Sequence, residues 1–99
     1  MARYDVYDNA AGNDYLLDVQ SDILDAMNTR MIVPLMAAKN APKPASRLNP
    51  VFDINGKRYV MVTQFMAAVP VTILKTPTAN FSLHSDQITN ALDMLFQGF

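Results

Sequence analysis

The clearest periodicity in the chain lies near its end. Ile88, Ala91, Leu92, Leu95 and Phe96 recur at i, i+3, i+4, i+7 and i+8, which predicts an amphipathic helix from about Ser82 to Phe96 with one apolar stripe against a core. Ser82 or Ser85 is placed to cap it, and Asp86 in its first turn suits the helix dipole. Met94 lies off the stripe and Phe99 beyond it. Chain ends usually fray into polar residues. Phe99 therefore reads either as a ring folded back on the chain's own core or as part of a contact surface.

Upstream the pattern changes to short alternating or continuous apolar runs, the mark of strands. Tyr4 and Val6, then Leu16 and Val19, read as two strands around a turn marked by Asn9, Gly12 and Asn13. The block Gln20-Ser21-Asp22-Ile23-Leu24-Asp25 breaks the alternation and leaves Ile23 and Leu24 adjacent between two aspartates. Met31-Ile32-Val33-Pro34-Leu35 predicts a short buried strand whose proline suggests an edge or a bulge. Residues 38–50 hold Pro42, Pro44 and Pro50 with Lys39, Lys43 and Arg47. They predict a mobile loop where a partner can dock.

Asn55-Gly56 is the strongest local signal. Flanked by Val51–Ile54 and Lys57–Val62, it predicts a two-residue type I′ hairpin. Counting outward sets Ile54 against Lys57, Asp53 against Arg58, Phe52 against Tyr59 and Val51 against Val60. The charge pair and the aromatic pair each add about 0.2–1 kcal/mol, so turn and side chains specify one register. Phe65 to Leu74 reads as a strand interrupted by Pro70, and Lys75-Thr76-Pro77-Thr78 as a turn. Six or seven short strands followed by one helix predict an α+β fold, most simply a small curled barrel-like sheet with the helix packed on it.

Composition narrows the function. Ninety-nine residues make a single domain over 1–99. With 51% apolar and 17% charged residues, the surface is apolar enough to favour a dimer or an obligate partner. There is no cysteine and one histidine, which argues against a disulfide framework or a Cys/His metal site. The formal charge is −1 and the eight basic residues are dispersed, unlike a nucleic-acid-binding surface. Met1-Ala2-Arg3-Tyr4-Asp5 leads straight into alternating residues. Apolar runs such as 31–38 are too short to span a membrane, so a cytoplasmic protein is expected.

Candidate chemistry is sparse. His84 is the one group suited to acid–base work near neutral pH. Ser82, Ser85 and Asp86 beside it do not make a triad by proximity alone, and a solvated or capping histidine is the simpler account. Asp18, Asp22 and Asp25 lack the spacing and glycine of a calcium loop and read as turn formers. Gly12, Gly56 and Gly98 form no phosphate-binding loop. Met31, Met36, Met61 and Met66 read as core filling, though methionines also suit adaptable interfaces. No metal or cofactor is expected, and nothing here predicts an enzyme.

Taken together, three blocks carry a resemblance. Asp18-Val19-Gln20-Ser21-Asp22-Ile23-Leu24-Asp25 followed by Arg30-Met31-Ile32-Val33-Pro34-Leu35 is similar to the signature of the CcdB-type toxins. So are Met61-Val62-Thr63-Gln64-Phe65-Met66-Ala67-Ala68-Val69-Pro70-Val71 and the ending Ile88-Thr89-Asn90-Ala91-Leu92-Asp93-Met94-Leu95-Phe96-Gln97-Gly98-Phe99. The blocks keep order and spacing over nearly the whole chain. The resemblance implies a homodimer with an SH3-like antiparallel barrel or sheet and a C-terminal helix. It also implies the toxin half of a type II toxin–antitoxin module, one that binds the DNA gyrase A subunit and traps the complex in which DNA is cleaved. A cognate antitoxin would neutralise it through a disordered C-terminal arm.

Carried over by position, the gyrase-contacting set falls on Ile23, Leu24, Asn90, Asp93, Phe96, Gln97, Gly98 and Phe99. By the same resemblance the antitoxin arm would run over Ser46 and Arg47 and the sheet around Phe52, Tyr59 and Met61. The chain departs from the pattern at Gln97, where the best-known member has a tryptophan that stacks on a gyrase arginine, and at Asp93, which replaces an asparagine. Such stacking contributes about 0.5–2 kcal/mol. Two alternatives stand beside this reading. One is a family member that has lost toxicity and only dimerises and binds antitoxin; the other is an mRNA-cleaving ribonuclease on the same fold. One histidine and dispersed arginines suit the ribonuclease poorly.

Overall fold

The structure, a computed structural model, describes residues 2–9, 12 and 14–98; the expectations placed on Asn13 and Phe99 lie outside the described residues. Its elements are β1 (Asp5–Asp8), β2 (Tyr15–Asp18), β3 (Thr29–Ala37), β4 (Val51–Ile54), β5 (Lys57–Met61), β6 (Ala67–Pro70), β7 (Ala79–Asn80) and α1 (Ser85–Gln97). Single 3₁₀ turns lie at Asp22–Leu24, Thr63–Phe65, Val71–Ile73 and Ser82–His84.

The hairpin takes its predicted form. Asn55 and Gly56 have φ of 53° and 79°, the left-handed pair a type I′ turn requires. All four cross-strand pairs counted from the turn are present. The sheet runs β4-β5-β3-β2-β1-β7, with β6 on the free part of β3. All its pairings are antiparallel, and it curls into a half-barrel carrying one helix, the expected α+β architecture.

β3 is longer than expected and is not an edge. It pairs β2 along one side and forks on the other, to β6 over Thr29–Ile32 and to β5 over Leu35–Ala37. Pro34 sits at this fork. Its carbonyl accepts from Val62 N at 3.0 Å. A strand residue's N and C=O point the same way, so the proline nitrogen faces the gap, where no ladder bond is required. The segment from Phe65 to Leu74 is broken into the 63–65 turn, β6 and the 71–73 turn rather than forming one strand.

Alternation along β1, β2 and β3 sends residues to two covered faces. Val6, Leu17, Val33 and Leu35 join Phe52, Ile54, Tyr59, Met61 and the α1 residues Ile88 and Ala91 in the main core. Tyr7, Leu16, Ile32 and Leu74 form a smaller cluster on the other face. Burial on both sides is why the β3 sequence reads as a continuous apolar run.

The loop at 38–50 is fixed more firmly than its prolines suggest. Asn49 is 5% exposed. Its side-chain amide donates to Met61 O at 3.0 Å and Gln64 Oε1 at 2.8 Å, and its Oδ1 accepts from Ala45 N. Thr63 Oγ1 donates to Leu48 O. Arg47, at φ 68°, is the centre of a three-residue turn closed by Leu48 N to Ser46 O at 2.8 Å, the strained hand of the γ-turn. The anchoring amide holds it there.

Candidate functional site

α1 explains how the last helical residues become a surface. Ile88 and Ala91 are fully buried, and Leu92 packs against the same core. The stripe then leaves the domain: Met94 and Leu95 are half-buried, and Phe96 is 71% exposed. Asn90, Gln97 and Gly98 are exposed, with Asp93 half-buried. Gly98 ends the helix at φ 80° with its N–H on Met94 O at 3.1 Å. Only a residue without Cβ takes that conformation freely. No basic side chain lies in the last turn, so the helix end offers its partial negative charge outward. Asp93 and Gln97 are four apart and share one side of this tip.

The N-terminus of the helix departs from expectation. His84 occupies the cap position and no side chain caps there; Ser82 and Ser85 do not serve. The turn at Ser82–His84 supplies the local closure instead, with His84 N on Phe81 O at 2.8 Å. The His84 ring packs 5.0 Å from Phe52 and 5.2 Å from Phe81, centroid to centroid, a packing role without a carboxylate partner in those contacts.

The second apolar pair sits on the Asp22–Leu24 turn. Ile23 is 90% exposed and Leu24 45%, and no residue of the turn is buried. The turn is held from below. Ser21 Oγ accepts from Ile23 N, Asp22 Oδ1 accepts from Arg3 N at 2.8 Å, and the Gln20 side chain donates to Leu24 O at 3.1 Å. The main contacts of α1 within the chain are with the 63–65 and 82–84 turns rather than with this one.

Beneath the Asp22–Leu24 turn lies a feature the sequence reading missed. Asp18 and Arg30 are 0% and 1% exposed and form a two-pronged ion pair, Nε to Oδ2 at 2.7 Å and Nη2 to Oδ1 at 3.0 Å. Burial pushes the Asp18 carboxyl up, opposed by the Arg30 hydrogen bonds and the Gln20 N–H. The short two-pronged contact identifies the ionised pair. Asp18 keeps its turn-forming role as well, since its Oδ1 accepts from Gln20 N, two residues on, at 3.0 Å. The pair forms because Asp18 lies opposite Ile32 and Arg30 is its diagonal neighbour on that face. Asp5 and Tyr7 share the face. Tyr7 is pushed up to about 12 by burial and then by the charges of Asp5 and Asp18.

The residues suggested for antitoxin contact divide. Ser46 and Arg47 are exposed, and Asn49 ties their turn to β5. Phe52, Tyr59 and Met61 are 4%, 6% and 0% exposed and belong to the core, so as side chains they offer a partner almost nothing. Beside them opens a cleft of about 920 Å³, lined by Lys39, Lys57 and Arg58 against Asp8 and Asp14, with Tyr15 and Tyr59 on its floor. The cleft had no signal in the sequence, because it brings together residues of separate segments, 8–15, 37–40 and 57–59. Among the described residues no group of three or more His, Cys, Asp or Glu side chains is arranged to hold a metal ion. Nor is any helix among them long and apolar enough to cross a membrane.

The class that the fold defines is a small antiparallel half-barrel with one C-terminal helix, and it presents large apolar side chains at Ile23 and Phe96. Residues 3–98 match the family model described as CcdB protein, and the chain belongs to the CcdB family. That family comprises gyrase poisons of toxin–antitoxin modules.

Proposed function

We propose that this chain is the toxin of a type II toxin–antitoxin pair. It acts in the cytoplasm as a homodimer that binds the DNA gyrase A subunit and traps the cleaved-DNA complex, without catalysis of its own. The single observation that carries this is exposure. Ile23 at 90% and Phe96 at 71% are large apolar side chains on a fixed turn and a fixed helix end, at positions that match the family's gyrase-contacting pattern. A soluble chain gains nothing in its own fold from such groups, whereas a partner's surface gains from covering them. Dimerisation would bring a second copy of each group and match a two-fold symmetric target. The edge strand β6, with Ala67 and Ala68 exposed, suits close approach of a second copy.

Asp93 and Gln97 give the tip a different contact from the family's tryptophan. An arginine that would stack on a ring meets here a carboxylate, an amide and the negative end of α1. For neutralisation, the reading places an acidic antitoxin arm over Ser46, Arg47 and the cleft carrying Lys39, Lys57 and Arg58, not on the buried side chains of Phe52 and Met61. The test is induced expression in paired bacterial hosts, one with sensitive and one with toxin-resistant gyrase A. Growth should stop in the first and continue in the second. Equal killing in both, or no effect in either, would refute the reading.

A further inference from the structure

We infer that Gln20 is a positioning residue: its side-chain amide holds the Ile23–Leu24 pair in the conformation a partner meets. This rests on the reading of that pair as a gyrase contact. The chain leaves the sheet after Asp18 and re-enters at Thr29, and among residues 21–28 none is buried. Apolar packing therefore does not order this excursion, and a short segment without it would be expected to fluctuate. Gln20 closes the excursion from inside. Its Nε2 donates to Leu24 O at 3.1 Å and to Thr29 O at 3.3 Å, and its Oε1 accepts from Met31 N at 3.0 Å. One side chain thereby links the middle of the excursion to the strand that receives it.

Gln20 is itself held by the charged pair. Its N–H donates to Asp18 Oδ1 at 3.0 Å and its carbonyl accepts from Arg30 Nη2 at 3.3 Å. Arg30 Nη2 also lies 3.7 Å from Asp22 Oδ1. The buried ion pair thus fixes the backbone of Gln20, and the Gln20 amide fixes the turn. Among side chains only an amide meets this demand, with two donors and an acceptor on one planar group. Ordering the turn before binding removes a cost that the partner contact would otherwise have to meet.

The test compares the full-length chain with Gln20→Glu and Gln20→Leu. The glutamate keeps length and the acceptor for Met31 N–H but loses both donors; the leucine loses all three bonds. Amide exchange at Leu24, Asp25 and Met27 should quicken by about tenfold in both, while Val33, Val60 and Ile88 stay unchanged. Affinity for a gyrase A fragment should fall about tenfold, the factor expected if the competent conformation drops to about one tenth. In an Ile23→Ala/Leu24→Ala background Gln20→Glu should cost no further affinity, which a merely structural effect would not spare. Should Gln20→Leu not fold, Gln20→Glu carries the comparison. Unchanged exchange at the turn, or a loosened turn with gyrase affinity intact, would overturn the inference. If the unaltered chain does not bind the fragment, the functional reading fails, and the exchange rates alone decide whether Gln20 holds the turn.

Discussion

Two exposed apolar groups, Ile23–Leu24 and the Phe96 tip, are held in place by opposite physics. The first stands on a turn with no buried residue, and its order comes from a polar support: the Asp18–Arg30 pair, the Gln20 amide and Asp22 on the Arg3 N–H. The second stands on a helix whose earlier turns sink Ile88 and Ala91 into the core, and Gly98 shapes its end. A side chain left exposed cannot anchor itself in the core. One site is therefore anchored through charge beneath it, the other through hydrocarbon one or two turns earlier. Each support should fail in its own way.

The largest effect is expected from the charged support. Arg30→Met leaves Asp18 as an unpaired buried carboxylate and should cost about 3–5 kcal/mol in urea or thermal unfolding. Acidification should recover part of that loss. Burial lifts the folded-state pKa of an unpaired carboxyl above its unfolded value, so the folded form takes up the proton first. A loss that does not shrink at low pH would place the damage in packing instead.

The apolar support should respond next. Ile88→Ala removes a fully buried side chain and should cost about 2–4 kcal/mol. Unlike Arg30→Met, it should show no recovery on acidification, which unfolding curves at two pH values would reveal. A smaller effect belongs to Tyr7, beside the charged pair. With its folded pKa at about 12 against about 10 unfolded, the unfolded chain ionises first. Stability should be flat below pH 10 and fall between 10 and 12, by up to roughly 3 kcal/mol. Tyr7→Phe should abolish that alkaline decline, and an unaltered pH profile would contradict the assignment.

The same contrast explains what could be read from the residues. The β4–β5 hairpin was legible to the individual pair because a turn with two positive-φ residues and alternating side chains admits one register. The helix was legible because its period is long enough to declare itself. Pro34 misled, since a proline mid-strand signals an edge and nothing local announces a fork in the sheet. Asp18 and Arg30, twelve residues apart, are dispersed charges in sequence and become partners only when β2 and β3 pair. The firmness of the 44–50 loop rests on Asn49, whose three side-chain bonds reach as far as Gln64. Phe52 and Met61, suggested as contacts by resemblance, lie on the core face of the hairpin, and alternation alone does not say which face of a strand is covered.

The most direct measurement is a calorimetric titration of a gyrase A fragment with the chain and with Ile23→Ala and Phe96→Ala. Both residues are exposed, so folding stability should change by less than about 0.5 kcal/mol. The unaltered chain should bind, and each substitution should weaken binding by on the order of tenfold or more. Failure of the unaltered chain to bind, or equal affinity in all three, would contradict the account.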